Sequence, residues 1–369
     1  MSAARRPWRA TTAALCAATT LAVGAAAPAT ASAPAATGRP GLAAPRPDPA
    51  LLEACTGAGP VVCTYPDLPP GHYDVTVLLG DRHAAARTEV LAEARRLMVD
   101  AVDTDEGEVV RRTFTVNVRD PESQQNLPPG DGTPGLTLTF GGDAPRVAGI
   151  GIRAADERTP RLALLGDSTV TDQGAAPYTG WGQRLPARFR LGVSVVNHSG
   201  SGESTVSALA EPEMLDALVP QLRPGDVLLV QLAHNDKTTT AAQYRANLAE
   251  IVGRARATGA TPVLVTPIVR LRFDGDRLDP TGLLVTGETD LPAEMRGVAA
   301  DLGVDLVDLT ARSKELVESL GPTDAQPLYL VRENGDRTHT SEHGASVYAG
   351  IVADELHRLG LVPERSWAR

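Results

Sequence analysis

The sequence predicts an α/β fold: a doubly wound, five-stranded parallel sheet over residues 160–362, preceded by an antiparallel β-sandwich over residues 60–156. Three observations carry this. After Arg161 the chain alternates short apolar runs with helical periodicities. Before it, β-branched runs alternate in period two between Gly/Pro turns. The polar residues most suited to chemistry fall just after the apolar runs, where an open parallel sheet binds its ligands.

The chain opens with a targeting pattern. Arg5, Arg6 and Arg9 form a basic stretch, TTAALCAATTLAVGAAA is an apolar core, and ATASA offers small residues to a signal peptidase. A signal peptide is expected over 1–33, by the general or the twin-arginine route. The core is too short and too rich in Ala and Thr to span a membrane stably. An Ala/Pro-rich linker is expected over 34–59. The reading is a secreted, extracellular protein, expected to be a monomer.

Removing this segment changes two counts. The net charge of −10 loses three arginines and becomes about −13, which argues against nucleic acid or an anionic membrane as partner. Cys16 also leaves, so the three cysteines become a pair, Cys55 and Cys63. In an oxidising compartment these can close the loop CTGAGPVVC as a disulfide; two free thiols are the alternative.

In the upstream half HYDVTVLLGD, RRTFTVNVRD, GLTLTFGGD and RVAGIGIRA read as strands, with DLPPG and NLPPGDGTPG as turns. RHAAARTEVLAEARRLMVDAV is ambiguous: EVLAEARRL has helical character, while TEVLAEA and RLMVDAV also alternate. In the second half RLALLGD, VSVVN, DVLLVQLA, TPVLVTPI and VDLVDLT read as buried parallel strands. Helices are expected at GWGQRLPARF, from Met214 to Leu222, at AAQYRANLAEIVGRARATG, at LPAEMRGVAADLG and at SEHGASVYAGIVADELHRLG.

Ser168 follows the first strand in GDST, Gly202 follows the second in NHSGSGES, and Asn235 follows the third in AHND. Asp336 and His339 precede the last helix in DRTH. Each fragment alone is a common turn or cap. Together they supply a chemistry. A serine hydroxyl needs a base, His339, and the imidazole needs an orienting carboxylate, Asp336. The backbone N–H groups of Ser168 and Gly202 and the amide of Asn235 can stabilise the oxyanion formed on attack. His234 and Trp181 are candidate substrate contacts, each with a structural alternative: a strand-end hydrogen bond for one, a packed GWG turn for the other.

These blocks, in this order, resemble the SGNH (GDSL-type) hydrolases. GDST, GWG at 180–182, HND and D-x-T-H-T-S are similar more narrowly to the rhamnogalacturonan acetylesterases, and the sandwich resembles a galactose-binding-like β-domain. The resemblance implies a flavodoxin-like three-layer α/β domain, Ser168 as nucleophile, His339 as base and Asp336 as its partner, with Ser168, Gly202 and Asn235 as oxyanion donors. It implies no cofactor, and an acetylated plant-wall polysaccharide as substrate. A GDSL-type lipase or broad acyl esterase, and a carbohydrate-binding protein with an inactive α/β domain, are the alternatives. In one departure, Ala233 stands where the family usually has glycine, which leaves the aim of Asn235 open.

His339, Glu342 and His343 also spell H-x-x-E-H, a zinc-helix pattern. A third protein ligand is needed; the residues after His343 offer Glu355 and Glu364, and Glu355 lies about three turns along the same expected helix. No metal is therefore expected.

Overall fold

The structure, a computed structural model, describes residues 43–119 and 134–368. The signal peptide over 1–33 and part of the NLPPGDGTPG turn lie outside the described residues.

The parallel sheet follows from the apolar runs. β9 (Arg161–Gly166), β10 (Ser194–Asn197), β11 (Val227–Gln231), β12 (Thr261–Val265) and β17 (Asp305–Val307) pair in the order β10-β9-β11-β12-β17, all parallel. Successive side chains point to opposite faces, so a strand buried on both faces must be apolar at nearly every position. Leu162 and Leu164 of β9 pack on one side with Trp181, Leu185, Val317, Tyr348 and Val352. Ala163 and Leu165 pack on the other with Tyr244, Leu248, Met295 and Val298. Helices α1 (Trp181–Arg184), α5 (Leu309–Asp324) and α7 (Glu342–Arg358), with the one-turn α6 (Val331–Asn334) between the last two, cover the first face. Helices α2 (Thr205–Ala210), α3 (Ala241–Ala257) and α4 (Leu291–Leu302) cover the second. The Met214–Leu222 stretch forms short irregular turns: Met214 has non-helical dihedrals (φ −92°, ψ −111°), and Pro220 removes a backbone donor. Between β12 and α4 two small hairpins, β13/β14 (Phe273–Asp274, Arg277–Leu278) and β15/β16 (Val285–Thr286, Thr289–Asp290), stand at the sheet edge.

The upstream half forms two antiparallel sheets. β1 (Cys55–Thr56), β2 (Val61–Tyr65), β7 (Leu136–Gly141), β4 (Ala86–Ala92) and β5 (Arg96–Thr104) make one; β6 (Val109–Val118), β3 (Gly71–Gly80) and β8 (Val147–Ala154) make the other. The ambiguous stretch is thus a hairpin, β4 and β5, whose residues Val90, Ala92, Met98 and Val99 join the core with Phe114, Leu138 and Phe140. Cys55 and Cys63 are joined by a disulfide across the β1–β2 pair.

Residues 43–59, assigned by composition to the linker, are part of the fold. A short 3-10 helix spans Pro49–Ala54, Asp48 N–H donates to Ile150 O, and Arg111 donates to Pro45 O. Proline content reads as loop, but here the fixed backbone lies against the β8 edge. Contacts run continuously from the sandwich into the α/β layer, and the described residues form one compact unit.

Candidate active site

β9 ends at Gly166, and Asp167 opens a turn in which Val170 and Thr171 N–H both donate to Asp167 O. This turn places Ser168 at the carboxyl edge of the sheet. The Asp167 carboxylate folds back: Oδ1 accepts from Thr169 N–H (2.9 Å) and Thr169 Oγ1 (2.7 Å), while Oδ2 meets His234 Nδ1 at 3.0 Å. Gln231 Nε2 donates to Thr169 Oγ1 and Trp181 Nε1 donates to Gln231 Oε1, each at 2.8 Å. A closed, buried network therefore fixes the turn. Burial opposes charge on Asp167, but the donors from His234 and Thr169 outweigh it and hold the carboxyl below its usual range.

The DRTH segment reaches the same edge just before α7, whose N-cap Ser341 accepts from Gly344 N–H. Ser168 Oγ lies 2.9 Å from His339 Nε2, and His339 Nδ1 lies 2.6 Å from Asp336 Oδ2. Asp336 Oδ1 accepts the N–H groups of Thr338 (2.8 Å) and His339 (3.0 Å). Burial works against the Asp336 carboxylate, but these two N–H groups and the imidazole prevail, so its carboxyl is also held low. The Tyr178 ring meets the imidazole edge-on at 5.3 Å, and Asn334 donates to the Tyr178 hydroxyl. His339 is thus held from three sides.

The loop after β10 completes the edge. His198 N–H donates to Leu164 O and Gly200 N–H to Gly166 O, so this loop continues the parallel ladder beside the Ser168 turn. Gly202 has φ +88°, a conformation that glycine adopts without cost. Asn235 Nδ2 donates to Glu203 O at 2.9 Å, which leaves its second amide hydrogen for a ligand. Asp236 accepts Thr205 N–H and hydroxyl at the start of α2. The Asn-Asp pair therefore holds the Gly202 loop even with Ala233, itself fully buried, in place of glycine.

The sequence-derived residues separate into two groups. Ser168, His339, Asp336, Gly202 and Asn235 gather at one edge. Trp181 does not reach it: the indole is 1% exposed and donates to Gln231, so it is no sugar platform. A Cβ on Gly180 or Gly182 would sit 2.3 to 2.4 Å from the backbone of Val170 or Thr171, which explains GWG as a close-packing element against the Ser168 turn. His234 is 2% exposed and braces Asp167 through Nδ1. His343 is exposed on the first turn of α7 and Glu342 pairs with Arg95, while His339 is committed to Ser168 and Asp336. Among the described residues, no three His, Cys, Asp or Glu side chains converge as a metal site. Asn197, at the end of β10, is buried and donates to Val170 O and Asp172.

Sequence reasoning missed Gln173, whose Nε2 donates to Ser168 O (2.9 Å) and to Ser201 (3.3 Å), and Tyr178 against His339. Both lie in TDQGAAPYTG, a loop with no periodicity or motif. The only available signal was its position within ten residues of Ser168.

Residues 164–347 match the model of the GDSL-like lipase/acylhydrolase family. Rhamnogalacturonan acetylesterase RhgT of Bacillus subtilis (strain 168) is 36% identical over 218 residues, covering 54% of this chain and 91% of RhgT. The chain belongs to the GDSL-like lipase/acylhydrolase family. As a GDSL-type esterase it also matches an uncharacterised esterase of the same organism, YxiM, at 28% identity over 304 residues, or 80% of this chain and 74% of YxiM. The crystal structure of the Bacillus subtilis YxiM protein shares the fold with a TM-score of 0.50 and 26% identity, covering 82% of this chain and 80% of that chain. That span is longer than the α/β layer, so the likeness to YxiM takes in part of the sandwich.

Proposed function

We propose that this GDSL-type esterase is secreted and removes acetyl groups from a plant-wall polysaccharide, rhamnogalacturonan in the first place, using Ser168, His339 and Asp336. The observation that carries this is the unbroken line from Ser168 Oγ through the imidazole to Asp336, at 2.9 and 2.6 Å. His339 Nε2 accepts the hydroxyl proton as Oγ attacks the acetyl carbonyl. Ser168 N–H, Gly202 N–H and the free hydrogen of Asn235 Nδ2 receive the oxyanion. The imidazolium returns its proton to the departing sugar hydroxyl, and water then releases acetate from the acyl-serine by the reverse sequence. Asp336 keeps Nδ1 protonated throughout and offsets the imidazolium charge.

The 36% identity to RhgT, over nearly the whole of that enzyme, supports the sugar assignment. The Cys55–Cys63 disulfide supports an oxidising compartment, and no described helix is long and apolar enough to cross a membrane. Acetate release across acetylated pectins, acetylated xylans and p-nitrophenyl esters of rising chain length tests the reading. Preferential release from acetylated pectin is the expected result; preference for long acyl chains would assign a lipase instead.

A further inference from the structure

Next to the triad, the end of β11, the Arg270 loop and the β15/β16 hairpin enclose a cavity of about 310 Å³. Its polar lining is His234, Lys237, Arg270, Thr281 and Thr286; Leu284 and Leu291 are among its apolar residues, and no Asp or Glu lines it. That charge pattern is unusual in a chain of net charge −10. Nearby arginines are matched: Arg245 pairs with Glu294 and Asp301, and Arg296 pairs with Asp308. Lys237 and Arg270 have no ion-pair partner among the described residues.

Two buried nitrogens belong to the same wall. His234 is 2% exposed and its Nδ1 is taken by Asp167, yet its Nε2 has no hydrogen-bond partner among the described residues. Arg270 donates from Nη2 to His234 O at 2.9 Å, and its Nε is buried and likewise unpartnered. Both residues line the cavity, and buried polar atoms are rarely left unpaired: Arg270 Nε is a donor, and His234 Nε2, with Nδ1–H donating to Asp167, is an acceptor suited to a sugar hydroxyl. The cavity also adjoins the reacting groups. His234 precedes Asn235 and touches Asp167, while Leu271, next to Arg270, donates to Arg337 O between Asp336 and His339.

We propose that this cavity is a subsite for the carboxylate of a uronic-acid residue in the acetylated polysaccharide, with Lys237 and Arg270 as its cations. Threonine hydroxyls and leucine side chains suit the hydroxyls and the apolar face of one sugar ring, and the volume is that of a small-ligand site. This rests on the acetylesterase reading above and deepens it by naming the charged group recognised.

The test is the ratio of kcat/KM on an acetylated galacturonate oligosaccharide to that on an acetylated xylo-oligosaccharide. Lys237→Ala, at an exposed position, and Arg270→Gln should each lower that ratio about tenfold, mainly through KM on the acidic substrate. Unacetylated galacturonate oligomers should inhibit the wild-type enzyme competitively, and more strongly than inorganic phosphate at equal ionic strength. If Arg270→Gln fails to fold, Lys237→Ala alone decides. An unchanged ratio, or inhibition by phosphate as strong as by galacturonate, overturns the subsite. A wild-type enzyme that deacetylates neither oligosaccharide overturns the acetylesterase reading instead.

Discussion

Arg96 of β5 and Asp172 of the loop after Ser168 form an ion pair, with Nε 3.2 Å from Oδ2 and the two side chains 2% and 3% exposed. The sandwich thus places a buried charge inside the hydrolase layer. Arg119 approaches the same carboxylate at 3.7 Å, and Asn197 donates to its other oxygen. Next door, Arg95 donates to the carbonyls of Gln173 and Tyr178, and Gln183 bonds to Ala94 O and Gln173 O. Gln173 in turn holds Ser168 O, so the sandwich braces the loop beside Ser168.

Arg96→Met should destabilise the protein by roughly 3 kcal/mol, because removing one partner of a buried pair leaves the other charge uncompensated. Arg119 remains beside Asp172 and limits the loss. Thermal unfolding measures it. Turnover of a small acetyl ester and of polymer should fall by the same factor, since the loop beside Ser168 is common to both; a loss confined to polymer would contradict the bracing role.

A chain starting near residue 157 should fail on both substrates. It lacks Arg95, Arg96 and Arg119, leaving Asp172 buried with no cation, and uncovers the β10 and α1 surfaces that face the sandwich. Circular dichroism and acetate release from a soluble ester check this. A folded, active fragment that loses only its efficiency on polymer would make the sandwich a glycan-binding module instead.

Ser168→Ala should abolish acetate release, by roughly 10⁶-fold, with an unchanged melting temperature, since only the hydroxyl facing His339 is removed. Asp336→Asn should lose less, roughly 10⁴-fold. It retains an oxygen for the Thr338 and His339 N–H groups but loses the negative charge that meets Nδ1. Steady-state kinetics on one acetyl ester rank the two, and equal activity in Ser168→Ala and wild type would reject the nucleophile.

Stability should fall on mild acidification. His72, at 2.9 Å from Ser194 Oγ where β3 meets β10, is pulled down to about 4 by burial and then by Arg161, Arg223 and Arg96. His198 is pulled down to about 3 by burial and then by Arg119. Both stay neutral when folded, while the unfolded chain takes up a proton at each near pH 6.5. Stability is therefore complete above about pH 6.5 and declines as pH falls towards 4, by up to about 1.4 kcal/mol per pH unit for each histidine. Denaturant titrations from pH 7.5 to 4 measure the slope, and His72→Asn should reduce it. A stability flat across that range would refute the linkage.

The five parallel strands and the five residues at the sheet's edge were legible in the sequence. Buried strands must be apolar on both faces, and an open parallel sheet presents its chemistry at the carboxyl ends. The fragments GDST, SGSGES, HND and DRTH fall there in sequence order. Tertiary structure alone decided the rest. Trp181 and His234 stand beside motif residues, but whether such a side chain faces solvent or a buried partner depends on Gln231 and Asp167, supplied by other segments. The hairpin over 86–104 alternated weakly enough to pass for a helix until pairing with β7 fixed its faces. Residues 43–59 read as linker because proline and alanine are locally ambiguous, and only the β8 edge gives their backbone groups partners. The pairing of Arg96 with Asp172 and the lining of the Arg270 cavity join residues far apart in the chain, and no local pattern encodes such meetings.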